Sequence, residues 1–131
     1  MNKPAFFLQR MNDHVQYLSK IKATLNKRGN FQGTDCQHCA LGKWLYGEGS
    51  HEVQALGTEI QMLFEQLFEP HEKFHEASAR ALTYFKVGDE LGQYRAMTEM
   101  HQLSSDLIKT LLDLDRLMTK RTQAAKLKLH H

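Results

Sequence analysis

His71 and His75 stand four positions apart, so on a helix their imidazoles share one face about a turn from each other. That spacing is a common two-ligand bite for zinc, although histidines four apart also arise on solvated helix faces. Two further features add weight. Cys39 follows His38 in a short segment that also holds Cys36, and His14 lies on an apolar stripe of Phe7, Met11, His14, Leu18, Ile21 and Leu25. The steps of that stripe alternate between four and three, as one face of a helix requires. His71 continues a second stripe, Val53, Leu56, Ile60, Leu63, Leu67, His71, Phe74. An imidazole in an apolar interior needs a hydrogen-bond partner or a metal. A tetrahedral zinc site takes four nitrogen or sulfur donors at ~2.0–2.3 Å. Two donors from one helix turn, one from the first helix and one from a short helix would converge inside a bundle.

The elements that must position these groups are all helical. The first helix is expected from about Pro4 to about Asn26, stopped by Arg28-Gly29-Asn30. A polar loop, Gly29 to Asp35, leads to a short helix over Cys36–Tyr46 that carries Leu41, Trp44 and Leu45 and closes at Gly47-Glu48-Gly49. Ser50 is the expected cap of a long third helix, kinked or restarted at Pro70 and ending near Val87-Gly88. Asp89 caps a last helix reaching at least Met118, with a broad apolar face of Leu103, Leu107, Ile108, Leu111, Leu112, Leu114, Leu117 and Met118. The expected fold is all-α, a four-helix bundle with an additional short helix carrying the cysteine motif, in a single domain over residues 1–131. The face of the last helix is wider than one core seam needs, so a homodimer through the helices is expected.

Composition narrows the function. A formal net charge of +2 is too small to argue for nucleic acid. The basic tail from Lys120 to Lys128 suits the C-terminal end of a helix dipole. No stretch approaches the ~18 apolar residues of a membrane span, and Met1–Arg10 lacks the features of a signal peptide. The expectation is a cytoplasmic protein with no membrane insertion and no nucleic-acid partner. In that reducing setting Cys36 and Cys39 are metal ligands or redox groups rather than a structural disulfide. The closing His130-His131 pair is left out of the site.

The stretch His38-Cys39-Ala40-Leu41-Gly42-Lys43-Trp44-Leu45-Tyr46-Gly47 closely resembles the signature of the chemoreceptor zinc-binding (CZB) domain family. Glu69-Pro70-His71-Glu72-Lys73-Phe74-His75-Glu76 resembles that family's histidine-pair motif, and His14 occupies the place of its remaining histidine. The resemblance spans roughly Asp13 to Met118. It implies a zinc site of three histidines and one cysteine: His14, Cys39, His71 and His75. It also implies a regulatory module for chemoreceptor or diguanylate cyclase signalling proteins. No receptor signalling helix, methylation region or cyclase domain is recognisable, so a stand-alone or excised sensor module is expected. Cys36 falls outside the implied ligand set and opens a rival arrangement of Cys36, Cys39, His71 and His75, which thiolate chemistry allows.

Four protein donors leave no open coordination position, the property of a structural or sensory site rather than a catalytic one. The expectation is therefore a non-enzyme in which zinc ties three helices together and metal free energy becomes packing free energy. Two other readings share the site. Cys39 could be oxidised and trapped by Cys36 as a disulfide, making an oxidant sensor, or zinc could staple an interaction adaptor. A hemerythrin-like iron bundle needs carboxylates beside the histidines. Glu72 and Glu76 each lie one position past a histidine, about 100° around the helix. His38, His51 and His101 are expected at the surface or beside the site.

Overall fold

A computed structural model describes residues 6–129, with side chains to residue 127; Pro4 and the His130-His131 pair lie outside the described residues. The described chain is helical without a strand, as its periodicity demands: α1 (Phe6–Leu25), α2 (Ala40–Leu45), α3 (Gly49–Gln54), α4 (Thr58–Glu65), α5 (Phe68–Val87) and α6 (Glu90–Leu129).

The long elements are α1, α5 and α6. α5 and α6 form a hairpin along one another. Its turn is made by Gly88, whose φ of 76° places it in the left-handed region that glycine enters without a Cβ penalty. Asp89 then caps α6, its Oδ1 accepting from the Gly92 amide at 2.9 Å. α1 runs antiparallel to α6. Phe6 and Met118 line one cavity, His14 meets Ser104, and Leu25 lies with Met97 around another. α2 packs on α1 and α4 on α6, with α3 between them.

The expected third helix from Ser50 to Val87 is instead three helices. Gly57, at φ 105°, breaks the chain between α3 and α4, and a turn at Gln66-Leu67 separates α4 from α5. Pro70 falls in the first turn of α5, where its missing amide proton leaves no hydrogen bond unmade. The proline therefore belongs to a restart. Ser50 lies inside α3, whose N-cap is Glu48 without a side-chain cap bond.

Apolar seams close the core. α1 contributes Phe7, Tyr17, Ile21 and Leu25, while α6 contributes Ala96, Met100, Leu107, Leu111, Leu114 and Met118. Trp44 of α2 packs edge-on against Phe6, Phe7 and Phe64. Its indole N–H donates to Glu52 at 2.6 Å, so the group that fixes α2 in the bundle is both buried and satisfied. Of the broad face expected on α6, Leu103, Ile108 and Leu117 are half-buried and Leu112 is exposed.

Candidate metal centre

The site begins at the turn before α2. The Asp35 carboxylate accepts from the amides of Gln37 and His38, at 3.0 and 3.1 Å, and bends the chain through Cys36–Cys39. Cys39 is the N-cap of α2, and its Sγ accepts from the Gly42 amide at 3.2 Å. Position 42 admits no side chain. A Cβ there would lie 1.7 Å from the Cys36 carbonyl oxygen and 3.2 Å from Cys39 Sγ. The Cys-x-x-Gly spacing is thus a packing requirement: the glycine lets the turn fold back on the helix and aim an amide at sulfur.

α5 supplies the histidines. His71 and His75 lie one turn apart with ring centroids 4.8 Å from each other, and both are buried. His71 Nε2 is 3.3 Å from Cys39 Sγ, and its Nδ1 is buried without a hydrogen-bond partner. His75 Nδ1–H donates to the Thr34 carbonyl at 2.9 Å, which leaves its Nε2 lone pair free. Thr34 is itself held by Tyr17 of α1, whose hydroxyl accepts from the Thr34 amide at 2.9 Å and lies 3.1 Å from the Thr34 carbonyl. The donor atoms of Cys39, His71 and His75 all lie within 4.8 Å of one another.

This arrangement fits zinc. The set is one sulfur and two imidazole nitrogens, the ligands that zinc takes. One histidine already has its tautomer fixed by a backbone carbonyl. The other has only a sulfur, a weak acceptor, at one nitrogen and no partner at the second. A cation shared with Cys39 and His75 would replace the weak sulfur contact at His71 Nε2, the nitrogen that faces Cys39, by a ligand bond.

Burial sets the protonation. It pushes the His71 imidazole down to about 3, with the neighbouring His75 and His14 adding to the effect. It lowers His75 as well, against the opposing pull of the Thr34 carbonyl. The rings are therefore neutral near pH 7, the form that binds metal. Burial raises the Cys39 thiol, partly offset by the Gly42 amide, so binding a cation must expel that proton.

His14 stands beside this cluster. It is buried, its ring edge-on to Phe74 at 4.7 Å, and its Nε2 lies 2.8 Å from Ser104 Oγ. Burial, then the charge of His75, hold it down to about 4. Neither His14 nor Cys36 belongs to the mutually close group of donors. Cys36 is half-buried, with Sγ 3.6 Å from the Tyr46 hydroxyl. His38 pairs with Asp35 at the surface, and His51, His101, Glu72 and Glu76 are exposed. Thr34 and Tyr17, which hold His75, and Ser104, which meets His14, were not apparent from the sequence. Only Ser104 leaves a trace there, as a hydroxyl in the otherwise apolar seam Met100, Ser104, Leu107, Leu111.

No curated protein and no solved structure matches the chain. The family model described as the chemoreceptor zinc-binding domain matches residues 14–82, more than half of the chain. That span holds the whole Cys39, His71 and His75 cluster, together with the glycine and tryptophan that shape its turn. A zinc-type donor set on a helical scaffold and a match across the residues that build it lead to one conclusion: the chain belongs to the chemoreceptor zinc-binding domain family.

Proposed function

We propose that this chain is a zinc-responsive regulatory module, in which a site of Cys39, His71, His75 and His14 governs how tightly α1, α2 and α5 are held together. The observation that carries the reading is the convergence of one thiol and two neutral imidazoles in the buried interior, with His71 Nε2 3.3 Å from the thiol sulfur. His14 is the fourth ligand in this reading because it is the remaining buried imidazole next to the cluster, close enough for His75 to depress its basicity. Four protein ligands make the module a sensor rather than an enzyme. Without the cation the three elements lose a common anchor, and a partner that distinguishes tight from loose bundle reads zinc availability. The partner class is a chemoreceptor or diguanylate cyclase type signalling protein in the cytoplasm.

The reading includes a homodimer through α1 and α6. In their antiparallel register Leu8 lies near the height of Leu112 and Met11 near that of Ile108. These side chains and Val15 are exposed or half-buried. They stand on the flanks that the His14–Ser104 contact turns toward each other, so the α1–α6 groove presents an apolar strip to a second copy.

Elemental analysis of untagged protein purified without added metal tests the site. About one zinc per chain, lost in Cys39→Ala, supports it; iron, or no zinc uptake, removes it. A second reading, oxidant sensing, rests on Cys36 being half-buried three residues before Cys39. A peroxide would transfer one oxygen to the Cys39 sulfur, and attack by the Cys36 thiol would expel water and close a disulfide. Zinc release by peroxide that is identical in Cys36→Ala would end that reading.

A further inference from the structure

α6 supplies none of the ligands and lies beyond the residues matched by the family model, yet it touches the site at one polar point. Its buried seam runs Ala96, Met100, Ser104, Leu107, Leu111, Leu114, Met118, and Ser104 is the single polar member. A buried hydroxyl in an apolar seam is costly without a partner. Among the described residues its partner is His14 Nε2, at 2.8 Å. The same device recurs on the other side of the site, where His75 Nδ1–H is held by the Thr34 carbonyl.

We propose that Ser104 is a positioning residue for the metal: its Oγ accepts from His14 Nε2–H and fixes the tautomer that leaves Nδ1 as a zinc donor. The proposal rests on His14 being the fourth ligand. A metal-bound histidine normally gives its other ring N–H to a carbonyl, carboxylate or similar acceptor, which orients the ring and raises its basicity. Ser104 plays that part from α6. It thereby makes a helix of 40 residues, whose stretch from 119 to 127 is exposed, a mechanical continuation of the zinc site. Any change in the hold on His14 is felt at Ser104 and transmitted along a rigid rod.

The test is zinc affinity by chelator competition for the full chain, wild type, Ser104→Ala, His14→Ala and the double variant. Ser104→Ala should weaken zinc about tenfold, the range for groups that support a ligand. The double variant should bind no more weakly than His14→Ala. Unchanged or tighter binding in Ser104→Ala, with His14→Ala weakened, overturns the role of Ser104 and leaves the ligand set intact. Unchanged binding in His14→Ala overturns the ligand reading and this proposal with it. Nitrogen-15 NMR of the zinc-loaded wild type gives a second readout that a purely structural serine would not move. His14 should carry its proton on Nε2, and a proton on Nδ1 refutes the assignment.

Discussion

Gly42→Ala isolates the claim that the turn before α2 is built around the absence of one methyl group. The added Cβ would lie 1.7 Å from the Cys36 carbonyl oxygen and 2.8 Å from its carbon. Real Cβ atoms essentially never come within 3.0 Å of another heavy atom, so the carbonyl must retreat by about 1.3 Å. The obstacle is backbone rather than the flexible end of a side chain, and the retreat drags Cys39 and its Sγ, itself 3.2 Å from the new methyl. Zinc tolerates errors of only about 0.2 Å in ligand distance, so affinity should fall by about 10- to 100-fold. Overpacking of this kind typically costs about 1–3 kcal/mol, which lowers the melting temperature of a chain this size by roughly 3–15 °C. Chelator competition and thermal melts of the metal-free protein measure the two effects. Gly29→Ala is the matched control, because a Cβ there meets nothing closer than 3.4 Å. Zinc affinity within twofold of wild type together with an unchanged melt in Gly42→Ala would refute the packing argument.

Other consequences are as direct. Cys39→Ala, His71→Ala, His75→Ala and His14→Ala should each weaken zinc by more than about 100-fold, beyond what loss of a supporting contact produces. Cys36→Ala should stay within threefold, and the reverse pattern for His14 and Cys36 would replace one ligand by the other. Metal-free protein should lose stability in acid. Burial first, and His75 second, hold His14 at about 4, and burial likewise holds His71 at about 3, against an ordinary 6.5. Both folded values lie below the unfolded one, so the unfolded chain takes up protons first as pH falls. The stabilisation is fully present only above about pH 6.5 and is lost as pH falls through about 4 and then 3, roughly 2–4 kcal/mol of it by pH 5. Urea melts at pH 7 and pH 5 check this, and equal stability at the two would contradict the burial of neutral rings. Leu112→Asp should turn a dimer into monomer in light scattering; a wild-type monomer at all concentrations removes the α1–α6 interface instead.

How much of this was legible in the sequence depends on what sets each feature. The helices at α1, α5 and α6 follow from apolar periodicity, which burial enforces directly. The stops at Gly88 and Asp89 follow from local backbone chemistry. The breaks between α3, α4 and α5 were hidden because the apolar stripe from Val53 to Phe74 runs on across them. A stripe records which side faces the core, not whether the hydrogen-bond ladder is continuous. Gly57 was the local signal, and its φ of 105° shows why a helix could not pass. Tyr17 and Thr24, also buried on α1, escaped because each satisfies its hydroxyl with a loop backbone group that periodicity does not see.

The cluster of Cys39, His71 and His75 was legible because the pair on α5 is fixed by helix geometry and the cysteine by a turn that admits only glycine at position 42. The groups that hold the buried histidines His75 and His14 were not. The Thr34 acceptor is a backbone carbonyl and has no side-chain signature, and Ser104 lies 90 residues from His14 in sequence. In the proposed four-ligand site the two would perform the same task, each holding the nitrogen of a histidine that does not face the metal. Ligands can be read from spacing because neighbouring residues on one helix share a face. The partners that fix their tautomers come from whichever element happens to pack there. In this chain those elements are the loop pinned by Tyr17 and the long helix α6. In the proposed four-ligand site, loss of the cation would release both of those segments, which contribute no ligand themselves.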